Sequence, residues 1–270
     1  MGRSFFYTQK RKEFIMKKLL IGVLLAGLMT GCGANENAKD AKQAESSDKL
    51  PGILADGKLT VATSADFAPY EFYDGEDIVG IDPEIVKAIG DKLKVEVEIK
   101  DMDFNNIIAS IGSGRADIGA AGMTVDPKRL ENVDFTDTYA SSTQIFLIKK
   151  DSGIKSKDDL KDKTIGSQLG TVGNELAEEE FDKVSAFAKY PDAVLALQNG
   201  KVDAILMDKT SAEKFLAAND DLEIMEADYE SEDYAFAIGK EEDEAKEIIN
   251  KAIKELQDDG TIEEIVKKYK

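Results

Sequence analysis

Residues 107–124 read IIASIGSGRADIGAAGMT, and residues 193–210 read AVLALQNGKVDAILMDKT. The two segments align without a gap at an offset of 86 residues (193 − 107). Each pattern is typical of a helix, a turn, an apolar strand and a loop. Any βα unit can look like this, but four shared positions favour two similarly built lobes. They are Gly114/Gly200, Arg115/Lys201, Asp117/Asp203 and Thr124/Thr210.

Strand and helix patterns alternate along the rest of the chain. Strands are predicted at 59–63, 95–99, 117–121, 144–149, 164–167, 202–207 and 234–238. Helices are predicted from Asp82 as N-cap, from Asp126, at 105–111, 192–198 and 211–217, and as an amphipathic pair at the C-terminus. This alternation predicts an α/β fold with helix-covered sheets. Since ligands of open α/β sheets bind beyond the carboxyl ends of strands, the repeat marks two such ends, at Gly122 and Asp208.

Composition excludes several classes of function. The net charge is −19, and without residues 1–31 it becomes 29 − 53 = −24, because that segment holds six of the 35 Lys/Arg and one of the 54 Asp/Glu. Such an acidic excess argues against a nucleic-acid partner. The chain has no His, which excludes histidine catalysis and histidine metal ligation. One Cys allows no internal disulfide, and no metal site or cofactor is expected.

The N-terminal segment is typical of an exported protein. Two lysines precede an apolar run at 19–29, whose 11 residues are too short to span a bilayer and match a signal peptide. The run ends in Met29-Thr30-Gly31-Cys32, which resembles the lipobox of bacterial lipoproteins. We predict a signal peptide at 1–31, with 1–15 open to interpretation as a mis-called extension, and a lipidated Cys32 with a flexible tether at 32–55. The alternative is a plain signal peptide with an incidental Cys.

Several motifs occur together in a characteristic order. They are SADFAPYEF at 64–72, Gly80-Ile81-Asp82, Gly122-Met123-Thr124 with Arg129, and Asp134-Phe135-Thr136 with Tyr139. This combination resembles the polar amino acid-binding proteins of ABC importers, solute-binding family 3, from about residue 59 to the C-terminus. The resemblance implies a type II periplasmic binding protein-like fold, in which two similar lobes with helix-covered central sheets are joined by a two-strand hinge. Lobe 1 is expected at 56–144 and 237–270, and lobe 2 at 145–236.

The resemblance also implies a clamp for the ligand's α-carboxylate. Arg129 follows Thr124 by five residues, as in the family motif, and a guanidinium suits a carboxylate. Backbone N–H groups of Gly170, Thr171 and Val172 are expected to bind the same carboxylate as an anion nest. By spacing alone, Arg129 also fits a solvated charge on a helix.

For the α-ammonium, the resemblance implies Asp208 as the ionic partner and backbone carbonyls of Ala121 and Gly122 as acceptors. The competing interpretation of Asp208 is an N-cap for the helix that follows. Phe67, Phe104 and Gln168 match positions around the ligand side chain, although both Phe also suit an ordinary core. Ser64 stands where many relatives carry Asp, which puts an arginine- or lysine-type ligand in doubt.

The expected function is therefore extracytoplasmic capture of a polar amino acid, with the lobes closing on the ligand. The protein is expected to be a lipid-anchored monomer, without enzymatic activity, that delivers its ligand to a membrane permease with its ATPase. A cyclohexadienyl dehydratase-like enzyme, a ligand-sensing receptor domain and a binder of other solutes are the alternatives. Which amino acid is bound stays open from the sequence.

Overall fold

The computed structural model describes residues 50–270, so the predicted signal peptide, Cys32 and most of the tether lie outside the described residues. The strands are β1 (Lys58–Thr63), β2 (Asp66–Phe67), β3 (Glu71–Asp74), β4 (Asp77–Val79), β5 (Glu96–Asp101), β6 (Ile118–Gly119), β7 (Asp134–Phe135), β8 (Ala140–Ser142), β9 (Gln144–Lys149), β10 (Ile165–Gln168), β11 (Val184–Phe187), β12 (Ala204–Asp208), β13 (Leu222–Met225), β14 (Glu232–Tyr234) and β15 (Ala237–Ile238). The α-helices are α1 (Ile81–Leu93), α2 (Ile107–Gly112), α3 (Val172–Glu180), α4 (Tyr190–Gln198), α5 (Lys209–Ala218), α6 (Asp243–Asp258) and α7 (Thr261–Tyr269). Short 3₁₀ helices occupy Gly52–Leu54, Phe104–Asn106, Arg129–Glu131 and Lys157–Leu160.

Two five-stranded sheets repeat the same order. The first sheet runs β5-β1-β6-β15-β7, and the second runs β11-β10-β12-β9-β13. In each sheet the first three strands are parallel, and the fourth is antiparallel to both of its neighbours. A small third sheet, β2-β3-β4, packs on α1. We call the first sheet with its helices and this small sheet lobe 1, and the second sheet with α3, α4 and α5 lobe 2. The two similarly built lobes predicted from the repeat are therefore confirmed.

The repeated Asp makes the same contacts in both lobes. Asp117 Oδ2 accepts a hydrogen bond from the Thr60 N–H at 2.6 Å, and Asp203 Oδ2 accepts one from the Thr164 N–H at 2.8 Å. The N–H of each Asp in turn donates to the carbonyl of the same threonine at 2.8 Å. Each Asp thus accepts from a backbone N–H in or directly before one parallel strand and joins that strand to its neighbour in the sheet.

Two crossing segments connect the lobes. Strands β8 and β14 pair with each other in antiparallel register, outside both large sheets. The predicted strand at 234–238 is correspondingly divided, because Tyr234 belongs to this crossing pair, whereas Ala237 and Ile238 join the sheet of lobe 1. The predicted two-strand connection between the lobes is present.

The helices cover the sheets with apolar faces. In α6 the buried residues recur at helical spacing, at Ala245, Ile249, Ala252, Ile253 and Leu256. Each fully buried Ile or Leu stabilises the fold by about 1.5–3 kcal/mol. The predicted C-terminal amphipathic pair is confirmed as α6 and α7. Within residues 50–270, none of the helices combines the length and the apolar run that crossing a membrane requires.

Two predicted helix starts are wrong. Helix α1 begins at Ile81, after Gly80 in a left-handed conformation (φ 131°), where a Cβ would lie 2.2 Å from the Tyr70 carbonyl oxygen. Asp82 therefore falls inside the first turn, and its buried carboxylate binds other elements instead of capping. After Asp126 the chain forms only the one-turn 3₁₀ helix Arg129–Glu131, so the helix predicted there is absent.

Candidate functional site

A cleft lies where the carboxyl ends of strands from both lobes meet, and it encloses about 360 Å³ of space, including the part open to solvent. It is lined by Ser64, Phe67, Glu71, Phe104, Ala121, Gly122, Thr124, Arg129, Gln144, Gln168, Thr171, Val172, Tyr190, Asp208 and Tyr234. The structure thus brings together all the predicted ligand-binding residues except Gly170, which lies beside the cleft. Residues separated by more than a hundred positions meet in this one cavity.

Arg129 is held by backbone carbonyls of both lobes. Its Nη1 donates to the Thr124 carbonyl at 2.8 Å, and its Nη2 donates to the Gly170 carbonyl at 3.1 Å. The guanidinium carbon lies 5.2 Å from the centre of the Phe104 ring. Burial lowers the pKa of Arg129, and the charge of Asp126 opposes that shift. With 9% of its surface exposed, Arg129 is not a solvated surface charge, and this interpretation of its spacing is wrong.

Asp208 ends β12 and caps α5. Its Oδ1 accepts the Ser211 N–H at 3.0 Å, and its Oδ2 accepts the Tyr234 hydroxyl at 2.5 Å. Burial raises the pKa of Asp208, while these hydrogen bonds oppose the shift. In the sequence, an N-cap and a position in the cleft were competing interpretations of Asp208. The structure shows that the same carboxylate caps α5 and lines the cleft, because α5 begins where β12 reaches the cleft.

Gly122, the matching residue of lobe 1, is held from behind by Asp82. Asp82 Oδ2 accepts the Gly122 N–H at 2.9 Å and the Tyr139 hydroxyl at 2.7 Å. Burial raises the pKa of Asp82 to about 7. Gly122 has φ 51°, and a Cβ there would lie 2.7 Å from the Phe67 ring, so only glycine fits without strain.

Glu71 is a carboxyl group of the cleft that sequence reasoning missed. It is completely buried, and neither carboxyl oxygen has a hydrogen-bond partner among the described residues. Burial raises the pKa of Glu71 well above its usual range, and the charges of Asp82, Asp66 and Asp208 raise it further. A buried carboxylate without a partner is strongly disfavoured. The group therefore requires either a proton or a cation.

Tyr190, Gln144 and Tyr234 were also missed. Tyr190 had a signal, because the repeat offset of 86 residues places it opposite Phe104 (104 + 86). Its ring stacks on Phe67, with centroids 5.7 Å apart, and extends the aromatic wall of the cleft. Gln144 begins β9 of lobe 2, just after the crossing strand β8, and Tyr234 ends the crossing strand β14; no local motif marks them.

Known proteins share this sequence and architecture. Residues 59–270 match the family model of bacterial extracellular solute-binding proteins, family 3. The chain is 36% identical to the arginine-binding extracellular protein ArtP of Bacillus subtilis (strain 168) over 263 residues, which cover 94% of this chain and 98% of that protein. The family resemblance carried by the motifs is thereby confirmed.

Solved structures agree. The arginine-bound form of truncated ArgBP from T. maritima is 38% identical, with a TM-score of 0.72, covering 76% of this chain and 98% of that one. An ancestral arginine-binding protein bound to glutamine is 37% identical, with a TM-score of 0.75, covering 79% of this chain and 97% of that one. The predicted type II periplasmic binding protein-like fold is confirmed.

The predicted function is confirmed at the level of the family, since these relatives are binding proteins and a further similar structure, 38% identical with a TM-score of 0.75, is the substrate binding protein of an amino acid ABC transporter. The protein acts outside the cytoplasm, as an amino-acid-binding protein of an ABC transporter. The chain belongs to the bacterial extracellular solute-binding proteins, family 3.

Proposed function

We propose that the protein binds a cationic amino acid, arginine, and delivers it to the permease and ATPase of an ABC importer. The observation that carries this choice of ligand is Glu71. A completely buried carboxyl group that lines the cleft, without a hydrogen-bond partner among the described residues, suits a guanidinium with several N–H donors. The relatives named for arginine support the same ligand.

The two ends of arginine match different charged groups. The largest electrostatic influences on Arg129 are Asp126, Glu175 and Glu232, whereas those on Glu71 are other carboxyl groups. The cleft therefore offers Arg129 as its cationic group and Glu71 as a carboxyl group that a bound cation would keep ionised. We assign the α-carboxylate to Arg129, with Thr124 and the N–H groups of residues 170–172. In this structure the Gly170 N–H donates to Asn174 Oδ1 and the Thr171 N–H to the Gln168 carbonyl, both at 3.3 Å, so these two would have to turn to the ligand or be shared with it.

Asp208 would pair with the α-ammonium, with the carbonyls of Ala121 and Gly122 as further acceptors. The aliphatic stem and guanidinium would lie along the aromatic wall of Phe67 and Phe104, where a cation over a ring gains about 0.5–2 kcal/mol. Ser64 and Gln168 would add polar contacts. The Ser at position 64 then does not disfavour arginine, because Glu71 supplies the negative charge.

Glutamine is the principal competing ligand, because a protonated Glu71 would accept a neutral side chain. Calorimetry of the purified protein with arginine, lysine, histidine, glutamine and cystine tests the choice. We expect arginine to bind tightest. The Glu71→Gln variant should lose about 100-fold or more in arginine affinity, close to 3 kcal/mol, because the guanidinium loses its ionic partner.

The exposed Glu76→Gln variant is the matched control and should bind arginine as wild type does. Equal arginine affinity of wild type and Glu71→Gln would contradict the ligand assignment. Turnover of prephenate or arogenate by the wild-type protein would instead support the dehydratase-like alternative.

The proposal includes hinge closure by a monomer, with residues 56–144 and 237–270 forming one lobe and residues 145–236 the other. It also includes attachment to the membrane through a lipid on Cys32, which lies outside the described residues. Labelled palmitate should enter the wild-type protein but not the Cys32→Ser variant. Equal labelling of the two, or none in wild type, would contradict the anchor.

A further inference from the structure

Asp66, at the start of β2, receives hydrogen bonds from both lobes. Within lobe 1, the Ser64 hydroxyl donates to its Oδ1 at 2.8 Å. From lobe 2, the Tyr190 N–H donates to Oδ2 at 2.9 Å, and Gln168 Nε2 donates to the same oxygen at 3.1 Å. All three donor residues line the cleft, whereas Asp66 does not.

The contact with Tyr190 completes a helix terminus. Tyr190 is the first residue of α4, and the preceding Lys189 provides no side-chain cap. The first N–H groups of a helix need acceptors, and a negative charge is favourable there. Asp66 supplies both to a helix of the opposite lobe. Lys189 itself forms an ion pair with Asp101 of lobe 1, at 3.3 Å, beside this contact.

We propose that Asp66 is a positioning residue that locks the two lobes together over the ligand and aligns Ser64, Gln168 and Tyr190 around it. Its bonds to α4 and β10 exist only while the lobes are in contact. Loss of these bonds should therefore shorten the lifetime of the closed complex and leave the encounter of ligand and open protein unchanged. The choice of arginine as probe rests on the proposed function.

Other contacts between the lobes differ in kind. Lys128 and Glu175 form an ion pair across the cleft at 2.5 Å, but their side chains are 59% and 34% exposed. Exposed pairs of this type contribute little, because water and salt screen them. Asp66 is half-buried and accepts three well-placed donors, one of them a backbone N–H. The Lys128→Gln variant is thus a matched control, because it removes an exposed contact between the lobes and leaves the half-buried contacts of Asp66 intact.

The test uses the Asp66→Asn and Lys128→Gln variants of the full chain. In Asp66→Asn the shape is kept, but the negative charge at the N-terminus of α4 is lost, and an amide oxygen accepts from the Tyr190 N–H and Gln168 Nε2 more weakly than a carboxylate oxygen does. We expect labelled arginine to dissociate about tenfold faster or more, with association within about threefold of wild type. Without arginine, the unfolding midpoint should stay within about 2 °C, since the bonds of Asp66 to lobe 2 are not formed in the open protein. Lys128→Gln should leave both rates within about twofold of wild type.

Small-angle scattering at saturating arginine supplies a second measurement, in which Asp66→Asn should show a larger radius of gyration than wild type. Unchanged dissociation, or a loss of affinity matched by an equal fall in stability without ligand, would overturn the role of Asp66. If wild type prefers another amino acid, the proposed ligand is wrong, and the same rates are compared with that amino acid. If wild type binds none of the twenty, both proposals fall.

Discussion

The two lobes share one repeated unit, which we call the frame: a helix, a glycine turn, the repeated Asp and the strand that follows it. They differ in the residue that the frame places at the cleft. In lobe 1 and lobe 2 alike, Asp117 and Asp203 tie the strand that enters the cleft to its neighbour. Lobe 1 then presents Gly122, whose N–H is held by Asp82 on a separate helix. Lobe 2 presents Asp208, whose own carboxylate caps the next helix. The repeated residues are therefore structural, and the residue that follows each frame decides what the cleft offers a ligand.

The largest expected effect comes from removing the Asp208 carboxylate, which lobe 2 carries at the position where lobe 1 has Gly122. Asp208→Ala should weaken arginine binding by about 2–5 kcal/mol, because the ammonium loses a desolvated partner. It should also destabilise the protein by about 0.5–2 kcal/mol through loss of the helix cap. Asp208→Asn separates the two effects, since Asn caps as well as Asp. Calorimetry and denaturant unfolding measure them, and full affinity in the Asn variant would contradict an ionic role.

An intermediate effect is expected from the carboxyl group behind Gly122. Asp82 has a pKa of about 7 in the fold, against 3.8 for an unperturbed Asp. The folded state therefore holds a proton that the unfolded chain releases, and stability falls as pH rises between these values. We expect a slope of on the order of 1 kcal/mol per pH unit just below pH 7.

Asp82→Asn should make this slope shallower, because its oxygen can still accept both hydrogen bonds but no proton is exchanged. The other buried carboxyl groups with raised pKa, Glu71 above all, keep part of the slope. Arginine affinity should change in the opposite direction, since a proton on Glu71 excludes the guanidinium. Chemical unfolding and calorimetry between pH 5 and 7.5 follow both. Identical slopes in wild type and Asp82→Asn would argue against the assignment.

The smallest effects are expected from the repeated Asp of each frame, and they test whether the two frames are equivalent. Asp117→Asn and Asp203→Asn should each cost about 1 kcal/mol of stability, because each weakens one hydrogen bond to a backbone N–H. Arginine affinity should be unchanged in both, and the exposed Asp77→Asn variant should alter neither quantity. A large loss of affinity from only one of the pair would show that the two frames are not equivalent. Urea unfolding resolves differences of this size.

Much of the site could be predicted because its signals are local. The segments 107–124 and 193–210 share the same sequence pattern, in which a short helix is followed by a left-handed glycine turn and an aspartate. Hydrophobic periodicity marks the strand that follows, and the position after that strand is a binding position in open α/β sheets. The sequence by itself thus determined the two lobes and placed Gly122 and Asp208 at the ends of their strands, and the family resemblance added Arg129.

Local patterns were insufficient where partners come from distant segments. Asp82 looked like a helix cap, but Gly80 turns the chain earlier, so the carboxylate reaches Gly122, 40 residues away. Glu71 stood in the motif SADFAPYEF without an assigned role. Only packing of the surrounding elements removes it from water and leaves its oxygens unpaired.

The contact between the lobes was likewise decided by tertiary structure alone. Asp66 meets Gln168 across 102 residues and Tyr190 across 124. No periodicity or turn chemistry spans such separations, because both report the conformation of neighbouring residues. The sequence determined which side chains stand at the strand ends. Burial and the approach of the two lobes decided which of them hold charge, which hold a proton and which hold the lobes together.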